Sequence, residues 1–269
     1  YGFLNIMFKI LEEEKPDHLA VAFDLKEPTF RHKMYANYKG TRKPMPEELR
    51  EQVPLMKEVL AAMGVPILTM AGYEADDILG TIAKRCQAEG EEVSVVSGDR
   101  DLLQLADTHI KIRIPKTSRG TTEIHDYYPE DVKREYQVTP TEFIDVKALM
   151  GDTSDNIPGV PSIGEKTATN LIVAYGSIEN AYAHLDEVKP PRAKKALEEH
   201  YDLAVMSKEL AEICITCPIP FEYEEAKLEN IYTPEAYQYM KRLEFKSILA
   251  RFDVQDMGGN SVEEHFWSV

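Results

Sequence analysis

Between Gly2 and Lys15 the apolar residues recur at helical spacing, and from Leu19 to Phe23 they run unbroken, the mark of a strand buried on both faces. The two patterns then alternate. Glu47 to Met63 is amphipathic and stops at Gly64, which suits a C-cap, and Val65 to Thr69 is a second strand. Glu74 to Glu89 is a helix closed by Gly90, Val93 to Ser97 a third strand, and Ile110 to Ile114 a fourth, paired with a short strand near Glu123 and Ile124. Such alternation predicts an α/β fold with a parallel-type sheet flanked by helices.

After about Tyr128 the strand signals fade. Thr139-Pro-Thr-Glu142 is a capping box with proline at the first helical position, opening a helix to about Met150. Gly151 begins a loop, and Ser162-Ile-Gly-Glu165 reads as a second capping box for a helix through Tyr175. Further helices are expected near Ser177–Ala183, Arg192–Glu199, Leu203–Glu212, Pro234–Leu243 and Phe245–Phe252, with a tail or linker over 255–269.

Four acidic clusters fall where these elements meet: Asp24, then Glu74, Asp76 and Asp77, then Asp99 and Asp101, then Asp152 and Asp155. Each alone has an ordinary reading, because acids cap helices, complement the macrodipole and form Asx-turns. Their joint placement points elsewhere. Acids at strand ends and helix starts converge, and converging carboxylates repel unless cations sit between them. Hard oxygen ligands suit Mg2+ or Mn2+, and two such ions about 4 Å apart are the usual apparatus for phosphodiester cleavage. On a helical wheel Glu74 and Asp77 lie at one edge of an apolar face and Asp76 at the other, so one first turn offers ligands to two ions.

The formal charge of −16 argues at first against a nucleic-acid partner, yet the clustered acids supply half of it and two divalent ions would bring it to −12. Residues 28–46 hold Arg31, Lys33, Lys39, Arg42 and Lys43 without a single acid, interleaved with Tyr35 and Tyr38. Cations and aromatics mixed this way fit phosphate gripping and base stacking. Pro158-Gly-Val-Pro-Ser-Ile-Gly-Glu-Lys-Thr167 leads small residues into a helix N-terminus, which suits a duplex backbone read without its bases. No run of about 18 apolar residues occurs, so no membrane span is expected. Three cysteines in an odd count favour a reducing, cytoplasmic setting, and Cys214-Ile-Thr-Cys217 stands without the strand-helix context of a redox motif or a second pair for zinc.

Taken together, Ala20-Val-Ala-Phe-Asp24, Phe30-Arg-His32, Tyr38-Lys39, Gly72-Tyr-Glu-Ala-Asp-Asp77, Gly98-Asp-Arg-Asp101, Gly151-Asp-Thr-Ser-Asp-Asn-Ile-Pro-Gly159 and Gly164-Glu-Lys-Thr-Ala168 resemble the 5′-nuclease domains of bacterial DNA polymerase I and their flap-endonuclease relatives. The resemblance runs from Tyr1 to about Asp253. It implies a PIN-like, Rossmann-like nuclease core over 1–128 with a helical arch at about 26–50. A helical duplex-binding subdomain would follow over 129–254, with a helix-three-turn-helix at about 145–175.

Carried over by position, the resemblance makes Asp24, Glu74, Asp76, Asp77, Asp99, Asp101, Asp152 and Asp155 the acids of a two-metal site, with Asp76, Asp77 and Asp99 foremost as direct ligands. Lys39 and Arg42 would contact the scissile phosphate, with the Tyr38 aromatic beside them. Arg31, Lys33, Gly159, Val160, Ile163, Gly164, Lys166 and Thr167 would bind DNA. The implied cofactors are two Mg2+ or Mn2+, with K+ at the helix-three-turn-helix. The implied substrates are DNA 5′ ends, nicks and flaps and also RNA primers, acted on in replication and repair by a monomer, nucleoid-associated, that continues into a polymerase domain.

The family begins with a strand ending in another metal-binding aspartate. This chain starts after that point, at Tyr1, which reads as an internal position in a longer protein. An impaired, DNA-binding fragment is therefore the alternative expectation. Two rivals differ more: a DNA-binding module without catalysis, and a phosphotransfer or glycosyl-transfer enzyme using the Asp-x-Asp pair alone, against which the basic aromatic segment argues.

Overall fold

The N-terminal helical period becomes α1 (Gly2–Glu14), which ends where Lys15 turns left-handed at φ 47°. In the computed structural model, which describes residues 1–259, β1 (Val21–Ala22), α2 (Phe30–Met34), α3 (Glu47–Ala62) and β2 (Ile67–Leu68) follow. Next come α4 (Ala75–Ala88), β3 (Val93–Val96), a 3-10 turn over Arg100–Leu105, β4 (Ile110–Ser118) and β5 (Thr121–Tyr127). The remainder is helical: α5 (Pro129–Tyr136), α6 (Pro140–Met150), α7 (Glu165–Tyr175), α8 (Ile178–Ala183), α9 (Pro191–Glu199), α10 (Tyr201–Ala211), α11 (Pro234–Arg242) and α12 (Lys246–Gly259).

These elements divide into two units interleaved along the chain. The first unit takes residues 1–23, 44–68 and the chain from 220 onward. Its core is formed by Leu4 and Phe8 of α1, Val59 and Leu60 of α3, Met240 of α11, and Ile248 and Phe252 of α12. Its two strands pair in parallel, Val21 with Ile67 and Ala22 with Leu68.

The second unit, residues 24–43 and 69–219, contains every candidate site residue. Here β3 pairs in parallel with β4, and β4 antiparallel with β5. Leu102, Leu103, Ile110, Ile112 and Val132 are all fully buried in a core that also takes in Ala83 of α4. A second core joins α6 to α10 through Leu149, Ile172, Leu197 and Ala204. The expected parallel-type sheet is thus present as two hydrogen-bonded sheets, one in each unit.

Several expectations change in detail. The partner of β4 is a full seven-residue strand, because Arg119 and Gly120 both adopt positive φ, 51° and 79°, and make a tight two-residue hairpin turn. Helix α5 carried little apolar periodicity, with Val132 its one buried residue; it forms because Pro129 opens it and the Asp131 carboxylate accepts the Tyr128 N–H. Ser162 does not cap α7. It sits at φ 75°, two residues before the actual N-cap, Gly164, and its Oγ faces Arg192 Nη2 at 3.4 Å. Within the expected arch the only regular piece before α3 is the single turn and a half of α2. At the C-terminus, residues 255–259 extend α12 instead of starting a tail, and 260–269 lie outside the described residues.

One turn decides where the last acidic cluster sits. After α6 the chain folds back on itself, with the Val160 N–H donating to the Leu149 carbonyl at 2.8 Å and Gly159 pressed against Gly151. Gly159 has φ 64°, and a Cβ there would lie 2.4 Å from the Gly151 nitrogen. The glycine is required by internal backbone packing. Gly159→Ala should therefore lower unfolding free energy by roughly 2 to 4 kcal/mol in urea titration, through both strain and overpacking; an unchanged urea midpoint would contradict this packing role.

Candidate active site

The first turn of α4 is built by acids acting on backbone. Asp24 accepts the Ala75 N–H at 2.7 Å, and Asp77 accepts the Glu74 N–H at 2.9 Å. Asp99 accepts the Asp101 N–H at 2.9 Å, and Asp152 accepts the Ser154 N–H at 2.8 Å. The ordinary capping and Asx-turn roles are thus real. They also aim the acids at one another: Asp101, Asp152 and Asp155 each bring an oxygen within 4.8 Å of the other two. Asp76 lies in the electrostatic reach of Asp99, Glu74 and Asp24.

Besides buried Arg31, three cations divide this negative charge. Lys39 pairs with Glu74, Arg42 with Asp155, and Lys147 with both Asp101 and Asp152, the last at 2.9 Å. Lys147 was not singled out by the sequence. Its signal was present, since it lies five residues before Asp152 and in the last turn of α6, where a cation suits the helix dipole.

The basic segment is fastened to the acidic loop by backbone as well. Lys39 takes a left-handed φ of 56°, its N–H donates to the Asp155 carbonyl at 2.7 Å, and Asn156 Nδ2 donates to the Asn37 carbonyl at 2.7 Å. Arg42 Nε donates to the Ser154 carbonyl at 3.2 Å. Burial pushes the Asp155 carboxyl up, whereas for Asp152 the pull of Lys147 outweighs burial and holds it down.

Some expected surface residues are internal. Arg31, expected to bind DNA, is 3% exposed and ion-paired with Asp77 and Glu74. Asp77, expected foremost among ligands, is fully buried, its two oxygens held by Arg31 and by the N–H groups of Glu74 and Cys214. Tyr38 is 4% exposed, and its hydroxyl donates to Glu74 at 3.1 Å, so its ring is no stacking platform. Val160 and Ile163 point into the helical core. Lys33, Gly164 and Lys166 are exposed and Thr167 half-exposed. The three cysteines are free thiols, and Cys217 is buried.

The donor set fits a divalent metal. It is all carboxylate oxygen, it gathers three ligands in one place, and ammonium and guanidinium groups already compensate its charge. Asp24, Glu74, Asp76 and Asp99 form a second group of acids around Asp76. Burial first, then Asp99, Glu74 and Asp24, push the Asp76 carboxyl up to about 7. Ionising it therefore costs the folded chain stability: the penalty is absent below the ordinary value of 3.8, grows as pH rises, and is complete above about 7. In EDTA, Asp76→Asn should melt above the unchanged chain at about pH 8, with the gap narrowing by on the order of 2 kcal/mol toward about pH 5. Thermal melts across that range check this, and a gap independent of pH would contradict it.

Comparison with known proteins places the chain. The family described as "5'-3' exonuclease, N-terminal resolvase-like domain" matches residues 1–137, and "5'-3' exonuclease, C-terminal SAM fold" matches residues 138–234. DNA polymerase I of Bacillus caldotenax is 45% identical over 253 residues, covering 94% of this chain and 29% of the polymerase. DNA polymerase I of Bacillus subtilis is likewise 45% identical, over 93% of this chain and 28% of its own length. The chain thus spans less than a third of these curated relatives. Among solved structures, the 5'-exonuclease of T5 with bound zinc superposes with a TM-score of 0.68 at 21% identity, over 90% of this chain and 88% of that one. That likeness supports a resolvase-like, PIN-type region followed by a helical one. With the two family descriptions covering both regions end to end, and close relatives aligned over nearly the whole sequence, the chain belongs to the 5′-3′ exonuclease family.

Proposed function

We propose that the chain is a structure-directed 5′-nuclease that hydrolyses DNA phosphodiesters at 5′ ends, nicks and flaps, with RNA primers as further substrates, in replication and repair. The observation behind this reading is the convergence of Asp101, Asp152 and Asp155, with the basic segment 37–42 paired to Glu74 at the start of α4 and to Asp155 in the loop after α6, all inside one unit. Zinc in the T5 exonuclease, and DNA with metal ions in a T5 D15 flap endonuclease complex, support the same chemistry here.

Asp101, Asp152 and Asp155 would hold one Mg2+ or Mn2+, and Asp24, Glu74, Asp76 and Asp99 the other. Such ions supply an activated water and stabilise the leaving oxygen. The chain's own residues do the rest. Lys39 and Arg42 sit at the rim as counter-ions of Glu74 and Asp155, and an arriving phosphate offers them equivalent oxygens. Exchange of one anion for another costs little charge separation, so the substrate is drawn to the acids despite their sign. Glu74 is held from behind by Arg31 and Tyr38, which fixes its orientation before substrate arrives.

Duplex DNA would lie along the turn before α7. Gly164 leaves open space at the helix N-terminus, and exposed Lys166 with Thr167 supplies phosphate contacts on the first turn. K+ at this turn, a monomeric state, a cytoplasmic, nucleoid-associated location and a polymerase domain in the parent protein complete the proposal. Among the described residues no helix is long and apolar enough to cross a membrane.

A 5′-flap cleavage assay in Mg2+ comparing the chain with Asp76→Ala tests the reading. The variant should lose at least about a hundredfold in rate. Equal cutting by both would overturn the assignment of the site, and flap binding without products from either would leave a DNA-binding module.

A further inference from the structure

Arg31 is engaged through all of its donors. Its guanidinium has five N–H donors, and five bonds account for them. Nε donates to the Leu210 carbonyl at 2.9 Å and Nη2 to the Glu212 carbonyl at 2.7 Å. Nη1 and Nη2 grip the two oxygens of Asp77, each at 2.8 Å, and Nη1 also donates to Glu74. Nothing remains for a phosphate. Burial opposes the charge, but Asp77 and Glu74 outweigh it and keep the guanidinium ionised.

The partners of Arg31 come from two places. Asp77 and Glu74 belong to the start of α4, which also carries Asp76. Leu210 lies in the last turn of α10 and Glu212 opens the strap that leaves it, and the same strap sends the Cys214 N–H to Asp77 at 2.8 Å. Gln104 holds the strap further along, accepting the Ile213 N–H and donating to the Ala211 carbonyl. A planar fork is needed to reach two carbonyls and two carboxylates at once, and an ammonium cannot reproduce it.

We propose that Arg31 is a positioning residue of the metal site. It holds Asp77 as an internal brace, sets the orientation of Glu74, and thereby fixes the first turn of α4 so that Glu74 and Asp76 face the metal. Asp77 acts in this arrangement through Arg31 and not as a ligand. The proposal rests on the nuclease reading above, and it removes two of the residues expected to touch metal or DNA from those roles.

The test is Mn2+ binding by the full chain, followed by electron paramagnetic resonance, beside Mg2+-dependent flap cleavage. Arg31→Lys keeps the charge and loses the fork. It should weaken Mn2+ binding at least tenfold and raise the Mg2+ needed for half-maximal cleavage by the same factor, while KM for flap DNA at saturating metal stays within twofold. Arg31→Gln combined with Asp77→Asn leaves the net charge of the site unchanged and buries no unpaired ion. It should show the same loss of Mn2+ affinity, even where Arg31→Lys fails to fold.

A raised KM with unchanged Mn2+ affinity would make Arg31 a DNA contact and overturn the proposal. Lower thermal stability with unchanged Mn2+ affinity would make it a structural residue only, with the same consequence. No Mn2+ binding by the unchanged chain would overturn the nuclease reading and the proposal with it.

Discussion

Carboxylates that must converge repel one another, and this chain meets that constraint with a matched set of internal cations. Arg31 faces Asp77 and Glu74, Lys39 faces Glu74, Arg42 faces Asp155, and Lys147 faces Asp101 and Asp152. The cations differ in depth. Arg31 is buried and fully bonded, so it belongs to the framework, whereas Arg42 has a side chain 48% exposed and pairs at the rim. An exposed pair is worth at most about 1 kcal/mol, while removing one partner of a buried pair costs several. The site therefore divides into a fixed rear and an exchangeable front.

That division explains the local architecture. The basic segment 37–42 is laid against the loop 152–156 by hydrogen bonds at Lys39 and Asn37, which bring Lys39 and Arg42 beside acids from a distant part of the chain. The loop can receive them because Gly159 packs on Gly151 and turns it back onto α6. The rear is closed by the strap after α10, whose carbonyls and N–H groups complete the shells of Arg31 and Asp77. Asp77, Asp99 and Asp152 are oriented by nearby backbone N–H groups, and four cations, three of them from distant parts of the sequence, offset part of the negative charge.

Much of this was legible from residue order. The apolar periods located α1, α3, α4, β3 and the helices from α6 onward, and the four acidic clusters fell at element junctions because those junctions are where they occur in the structure. What the sequence did not reveal was which charged side chains turn inward. Arg31 and Tyr38 lie in a stretch without a single acid and read as surface groups, yet their partners are supplied by residues 74–77 and, for Arg31, by carbonyls 179 and 181 positions away. Asp77 was read as a ligand alongside Asp76, and it is Arg31 and the Cys214 N–H that set it apart as an internal group. Lys147 was hidden for the same reason, as one basic residue at a helix end until the fold brings Asp101 beside it.

As a divalent-metal site, these acids would exchange counter-ions for metal. A crystal of the chain grown with Mn2+ and measured for anomalous scattering tests it most directly. Manganese peaks are expected among Asp101, Asp152 and Asp155 and beside Asp76, with Lys147 Nζ displaced from its place between Asp101 and Asp152 and Arg31 unmoved. Absence of manganese from this cluster, with Lys147 still bridging the two acids, would contradict it.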